Sequence, residues 1–382
     1  MGNVHYYVPS VNLVGRGCLG EIGREAVALH VKRAFVVASE GSVGEEQAAV
    51  VASVLAQVGV ESRNFCKTVP NPTAASVRIG LEAYRGEACD GLVAVGGGSA
   101  IDAAKAIGIL ASNGGDILDY EGTDLSFNAM PPFIAISTTA GTGSEVTRFA
   151  VISDADHRKV TICDRHMTPH VSVNDPEMMV SMPPSLTAAT GMDAFTHALE
   201  ACVSTGATPI TDGKALAAIE LISHHLPRAV HDGRDIEARE NMCYASFLAG
   251  SAFNNAGLGL VHAMAHPLGG LYDLPHGLCN ALLLPSVCEF NLMAAFSKFA
   301  RVAMCMGVGQ SWRSERENAE RMLGAISDLS RESGLPRGLQ ALGVKRDDLP
   351  RLAELAMLET IGSTNPRAYS SQDVLSLYEN AF

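Results

Sequence analysis

Three short runs of uninterrupted apolar residues constrain the first half of this chain most strongly. They are Ala34-Phe35-Val36-Val37-Ala38, Leu92-Val93-Ala94-Val95 and Phe133-Ile134-Ala135-Ile136. A strand with one wet face alternates apolar and polar residues, so a run without alternation needs cover on both faces. Helical stretches near Glu45–Gln57 and Ser76–Arg85 supply that cover. The pattern predicts a parallel sheet between two layers of helix. Tyr6–Val14 reads as an outlying strand on the sheet edge.

Past Pro183-Pro184 the β-branched runs fade and helical periodicity takes over. Leu216, Ile219, Ile222 and Leu226 recur at spacings that place them on one helix face. Ser185 reads as a helix start, and Gly334-Leu335-Pro336 as a helix stop. The expected organisation is therefore an α/β domain over 1–183 and an all-helical domain over 184–382.

Composition narrows the function classes. Acidic side chains outnumber basic ones, 41 to 28, whereas a phosphate-binding face must be basic. A nucleic-acid partner is not expected, nor is an anionic membrane surface. No run approaches 18 apolar residues, so no membrane span is expected either. The N-terminal Met1–Tyr7 segment lacks the basic and apolar regions of an export signal. Nine cysteines at irregular spacings, with no Cys-x-x-Cys pair, suit a reducing compartment. These points predict a soluble cytoplasmic protein. Only 18% of residues are charged, against about 25% in soluble proteins generally. That low content suggests surface buried between subunits, hence a homodimer or a higher homo-oligomer, paired through the N-terminal edge.

Two loops carry chemistry in the first half. Gly96-Gly97-Gly98-Ser99 follows a strand and opens the helical stretch Ala100–Leu110. Glycines let a ligand approach the backbone, and free amides at a helix N-terminus attract anions. The loop can cradle a pyrophosphate, or serve only as a tight turn. Its spacing is not the Gly-x-Gly-x-x-Gly fingerprint. The loop Ser137–Glu145 then brings five hydroxyl side chains and two glycines to the end of another strand, at the edge where open α/β sheets bind ligands.

In the second half, Asp193 and His197 lie four residues apart, as do His262 and His266, and His276 follows. A spacing of four puts both side chains on one helix face. One carboxylate with two or three imidazoles and no thiolate suits iron(II) or zinc rather than calcium or magnesium. Spacing alone does not separate His262 from His266. His157, His224 and His225 stand among polar neighbours and read as surface residues.

The motifs Gly96–Asp102, Thr138–Glu145, Asn174-Asp175-Pro176, Gly191–Glu200 and Gly259–His276 together resemble the iron-containing (group III) alcohol dehydrogenases, essentially from end to end. The resemblance implies a Rossmann-like dinucleotide-binding α/β domain followed by an all-α metal-binding domain, the dehydroquinate synthase-like arrangement. By position it implies Asp193, His197, His262 and His276 as iron ligands, with His266 beside the metal as a proton relay. It implies Gly97, Gly98 and Ser99 at the pyrophosphate. Asn71, Asp102, Thr138, Thr139, Ser144 and Lys159 would line the rest of the cofactor groove. Where NAD-preferring relatives often carry an aspartate, this chain has Ser39, followed by Glu40. NAD is expected, with NADP left open.

The implied activity is reversible hydride transfer between a small primary alcohol or aldehyde and NAD(P), dependent on iron(II) or zinc. Phe149-Ala150-Val151 and Phe253 give the presumed pocket an apolar character suited to a small aliphatic substrate. Two alternatives are a cofactor-using lyase or synthase of the dehydroquinate synthase kind, and a catalytically silent assembly protein. The first would carry basic residues for an anionic substrate. The second need not retain a full ligand set.

Overall fold

Nine strands appear in the computed structural model, which describes residues 4–156 and 158–382. Met1, Gly2, Asn3 and His157 lie outside the described residues, so the expectations placed on them are not taken further. The chain divides into two compact units, 1–180 and 181–382.

In the first unit the order is β1 (Val11–Val14), α1 (Ile22–Ala28), β2 (Arg33–Ser39), α2 (Ser42–Gln57), β3 (Glu61–Thr68), α3 (Ala74–Gly86), β4 (Gly91–Gly96) and α4 (Gly98–Asn113). There follow β5 (Gly122–Thr123), β6 (Phe133–Ser137), β7 (Phe149–Ser153), β8 (Lys159–Cys163) and β9 (Val171–Asn174). Six strands form one sheet in the order β1-β9-β6-β4-β2-β3, with every pairing parallel. The three apolar runs are β2, β4 and β6, and their lack of alternation has a direct cause. Phe35 and Val37 face one core, shared with Leu81 of α3 and Ile107 of α4. Ala34, Val36 and Ala38 face the other, shared with Ile22 of α1 and Val51 of α2.

The expected edge strand is present but shorter, Val11–Val14 rather than Tyr6–Val14. Five further strands, β3, β5, β7, β8 and β9, were not expected. Edge strand β3 carries Glu61, Arg63 and Lys67, the charged dress by which edges avoid aggregation. β7 and β8 form an antiparallel hairpin beside β5, with Ala150, Ile152, Val160 and Ile162 turned inward.

Helix α2 leaves β2 through a tight turn. A Cβ on Gly44 would lie 1.9 Å from the Ser39 carbonyl oxygen, so the turn has no room for a side chain there.

The second unit contains α5 (Pro184–Val203), α6 (Pro209–His231), α7 (Ile236–Ala256), α8 (Leu260–Tyr272), α9 (His276–Asn291), α10 (Phe296–Cys305), α11 (Glu315–Glu332), α12 (Leu349–Ala356) and α13 (Ser371–Asn380). The predicted face of α6 is buried at Ile219, Ile222 and Leu226, with Leu216 at its margin. The stop at Gly334 follows α11 directly, and its φ of 72° is one that glycine adopts readily. His276–Ala294, which is α9 and the turn after it, is long and apolar enough by length and composition to cross a membrane. Its hydropathy has a local cause, since Cys279, Ala281, Leu283, Leu284 and Val287 are core residues of the helical unit.

Replacing Gly44 with alanine should cost about 1–3 kcal/mol, the usual penalty of overpacking. Urea unfolding checks this, and an unchanged midpoint would mean that the turn relaxes freely.

Candidate metal centre and cofactor edge

In the first unit the carboxyl ends of β2, β4 and β6 carry Ser39, Gly96 and Ser137. The chain runs from β2 outward to β3 and then returns to the other side of β2 with β4. That reversal is the topological switch point where open α/β sheets bind ligands. Ser39 and the glycine loop flank it, and a Cβ on Gly96 would lie 3.5 Å from the Ser39 hydroxyl.

Gly97 caps α4 without a side chain, so the first amides of a 16-residue helix receive no side-chain cap. Ser99 lies in the first turn. The two loops pack on each other: a Cβ on Gly97 would be 3.3 Å from Thr139, and one on Gly98 3.1 Å from Thr142. Thr138 donates its N–H to the Gly96 carbonyl at 3.0 Å. The Thr139 hydroxyl is buried without a hydrogen-bond partner. Uncapped amides, bare backbone and an orphaned hydroxyl fit an anionic cofactor.

Asp102 and Ser144 are bound to each other, with Ser144 Oγ donating to Asp102 Oδ1 at 2.6 Å and Val151 N–H donating to Oδ2 at 3.0 Å. Lys159 donates to Asn71 Oδ1 at 2.6 Å. Ser39, Gly97, Gly98, Asp102, Thr138, Thr139 and Ser144 are thus linked around two loops, and Lys159, which also donates to Ser153 Oγ at 3.3 Å, connects Asn71 to them through its electrostatic pull on Asp102.

Two charged residues behind these loops were not anticipated. Lys105 is fully buried on α4 and donates to the Ser144 carbonyl (2.7 Å) and hydroxyl (3.0 Å), the Thr147 hydroxyl (3.1 Å) and the Phe149 carbonyl (2.7 Å). Burial pushes its pKa down to about 8, against the pull of Asp102 and Glu145. Glu145 is also fully buried, and neither carboxyl oxygen has a partner in hydrogen-bonding geometry. Burial pushes its pKa up to about 7, opposed by its own backbone N–H and by Lys105. A lysine three residues past Asp102, with no other charge in the stretch Ala100–Leu110, was the available signal for Lys105.

In the second unit, three helices bring Asp193, His197, His262 and His276 together, with one ligand atom of each lying within 4.8 Å of all the others. Asp193 and His197 sit a turn apart on α5, His262 in the first turn of α8, and His276 at the start of α9. Asp193 Oδ1 lies 3.9 Å from His197 Nε2, 3.9 Å from His262 Nε2 and 3.7 Å from His276 Nε2. Gly277 permits this approach, since a Cβ there would lie 2.3 Å from the Ala189 carbonyl oxygen of α5. Metal bonds of about 2.0–2.2 Å to nitrogen and oxygen span slightly less than these separations, so a divalent ion fits with small inward movements. Three members have side chains at most 5% exposed, but that of His276 is 41% exposed and leaves one side of the cluster accessible.

Electrostatics favour the same use. His262 is held well below the usual histidine range, first by burial and then by the neighbouring imidazoles. It is therefore neutral, the form that binds metals. Its Nδ1 meets Glu200 Oε2 at 2.5 Å, while Glu200 Oε1 accepts the Val261 N–H at 2.7 Å. Burial pushes the Glu200 carboxyl up to about 8, opposed by the Val261, Gly259 and His262 N–H groups; in its ionised form it accepts from Nδ1, and Nε2 then presents its lone pair to the cluster, a common arrangement at metal sites. Phe253 stacks on His197 with ring centroids 4.3 Å apart. Phe149, Ala150 and Val151 belong to β7 in the first unit.

His266 is not in the cluster. Its Nδ1 lies 2.9 Å from Glu359 Oε2, and its ring centroid 5.6 Å from that of His276. Glu200 was legible in principle, three residues past His197 on the same helix face. Glu359 was not, being 93 residues from its partner. His224 is exposed as expected, whereas His225 is half-buried.

The description "Iron-containing alcohol dehydrogenase" belongs to the family model that matches residues 9–176, and "Fe-containing alcohol dehydrogenase family, C-terminal" to the one that matches 187–382. The chain is 42% identical over 378 residues to the NAD-dependent methanol dehydrogenase of Bacillus methanolicus, spanning 99% of each protein. It is 45% identical over 380 residues to the 1,3-propanediol dehydrogenase of Klebsiella pneumoniae, spanning 99% of this chain and 98% of that one. A crystal structure of a 1,3-propanediol oxidoreductase matches with a TM-score of 0.97 and 44% identity, each chain being covered completely.

The buried Glu145 carboxyl gives the stability a pH dependence of definite sign. Its folded pKa of about 7 exceeds an unfolded value near ~4.3. Its contribution is fully present below the unfolded value and is lost as pH rises through 7. Thermal midpoints should therefore shift in favour of Glu145→Gln over the parent protein between pH 5 and pH 8. A difference that stays flat or reverses would contradict the burial of an ionisable carboxyl there.

Proposed function

Because the chain belongs to the iron-containing alcohol dehydrogenase family over nearly its whole length, we propose that it interconverts a small primary alcohol and its aldehyde with NAD as the hydride carrier. The observation that carries this reading is the buried convergence of Asp193, His197, His262 and His276. Their three nitrogens and one oxygen suit iron(II), with zinc as the other candidate. When bound, the ion supplies Lewis acidity toward the alcohol or carbonyl oxygen, while the nicotinamide takes or returns the hydride.

The chain's own residues do the rest. Glu200 fixes the tautomer of His262, and Phe253 covers the His197 ring and keeps water from it. Gly97, Gly98 and Ser99 offer backbone to the pyrophosphate, and the Thr139 hydroxyl offers an unused hydrogen bond. Ser39, Asn71, Asp102, Thr138, Ser144 and Lys159 complete the cofactor side of this reading. Ser39 carries no carboxylate to repel a 2′-phosphate, so the same assay is run with NADP. His266 would move the substrate proton: with Nδ1 donating to Glu359, its Nε2 can accept one.

A cytoplasmic homodimer or larger homo-oligomer belongs to the same reading, supported by the 18% charged content and by a β1 strand at the sheet edge. The lyase and silent-protein alternatives are less well supported, since the ligand set is complete and the relatives described above are dehydrogenases.

Protein purified without oxygen and given iron(II) should reduce NAD with at least one of ethanol, 1-propanol and 1,2-propanediol. No absorbance change at the reduced-nicotinamide band with any alcohol or aldehyde, using either cofactor, would sink the proposal. His266→Ala should lower kcat by roughly 10²–10⁴-fold, the range for general acid–base groups, with iron content unchanged. Loss of the iron instead would make His266 a ligand.

A further inference from the structure

Asn280 lies on α9 one turn after His276 and is fully buried. Its Nδ2 donates to Asp193 Oδ1 at 2.7 Å and lies 3.1 Å from His262 Nε2 and 3.2 Å from His276 Nε2. Three of the four candidate ligand atoms therefore meet one amide nitrogen. The carboxylate oxygen is an acceptor, and each imidazole Nε2 is one in the tautomer that binds a metal. An amide oxygen in that position would face the Asp193 carboxylate oxygen at 2.7 Å, so that partner fixes the orientation of the side chain. Its Oδ1 points away and has no hydrogen-bond partner.

Lone pairs this close, in surroundings this dry, repel one another unless something positive lies among them. The partial positive charge on the Asn280 NH2 group lies among them. It is also the hydrogen-bond donor to Asp193 among the described residues, and so sets which carboxylate oxygen faces the three imidazoles.

We propose that Asn280 is a positioning residue of the metal centre: its hydrogen bond to Oδ1, an oxygen with a second lone pair for an ion, keeps the Asp193 carboxylate in its binding orientation. The proposal rests on the reading that the four residues bind a divalent ion. It adds to that reading a neutral residue that is not itself a ligand, yet governs how tightly the ion is held.

The test uses full-length protein stripped of metal by chelation, with zinc(II) affinity measured by competition against a chromophoric chelator. Asn280→Ala should weaken zinc binding about 10–100-fold, the usual cost of losing a group that orients a ligand. Affinity within twofold of the parent would overturn the proposal. A second variant covers the case in which Asn280→Ala does not fold. Asn280→Asp sets a carboxyl against Asp193, so its metal-free form should melt lower and zinc should raise its Tm by more than in the parent. A zinc-induced shift no larger than the parent's would equally overturn the proposal. A parent protein that takes up no ion would remove the four-ligand reading and this proposal with it. A parent that binds one ion per chain beside an equally tight Asn280→Ala variant would remove this proposal alone.

Discussion

Four electron-pair donors held within 4.8 Å of one another, three of them with nearly inaccessible side chains, form an arrangement that an apolar interior does not tolerate by itself. Buried polar groups are costly unless they are paired. The helical unit is arranged around that cost. Three helices converge because Gly277 lets the start of α9 press against α5. Glu200 fixes the tautomer of His262 while bonding the first turn of α8, and Asn280 lies among three of the four donor atoms. Each of these residues has a structural reason for its place, and in each case the reason leads back to the same few atoms.

The α/β unit meets a milder version of the same constraint. Its glycine loop and its hydroxyl-rich loop lie against each other at the switch point of the sheet, and Lys105 behind them ties together the carbonyls of Ser144 and Phe149. A buried ammonium with four oxygen contacts fixes a loop more firmly than loop backbone alone could. The loop is held from below, leaving the uncapped α4 amides and the Thr139 hydroxyl for a ligand.

Much of this was legible in the sequence for physical reasons. Strands β2, β4 and β6 are apolar throughout their central runs because both of their faces meet a core, and that signal is local. β3 was not legible, because an edge strand dressed with Glu61, Arg63 and Lys67 resembles a loop. β8 alternates inward Val160 and Ile162 with Lys159 and Thr161 over only five positions, and β7 is an equally short run, Phe149–Ser153. The helix spacing of four selected the right side-chain types, but it could not tell His262 from His266. That distinction depends on where each turn of α8 points: the first toward Asp193, the next toward Glu359. Partners as distant in sequence as His266 and Glu359 leave no periodic trace. Asn280 is neutral and sits in an apolar helix, so nothing in its own position set it apart.

The account stands or falls on the composition of the metal centre. X-ray absorption at the iron edge of protein reconstituted with iron(II) tests it directly. One iron per chain is expected, with imidazole and carboxylate scatterers at about 2.0–2.2 Å, the range of nitrogen and oxygen ligands. A sulfur shell near ~2.3 Å, or the absence of stoichiometric iron, would contradict it.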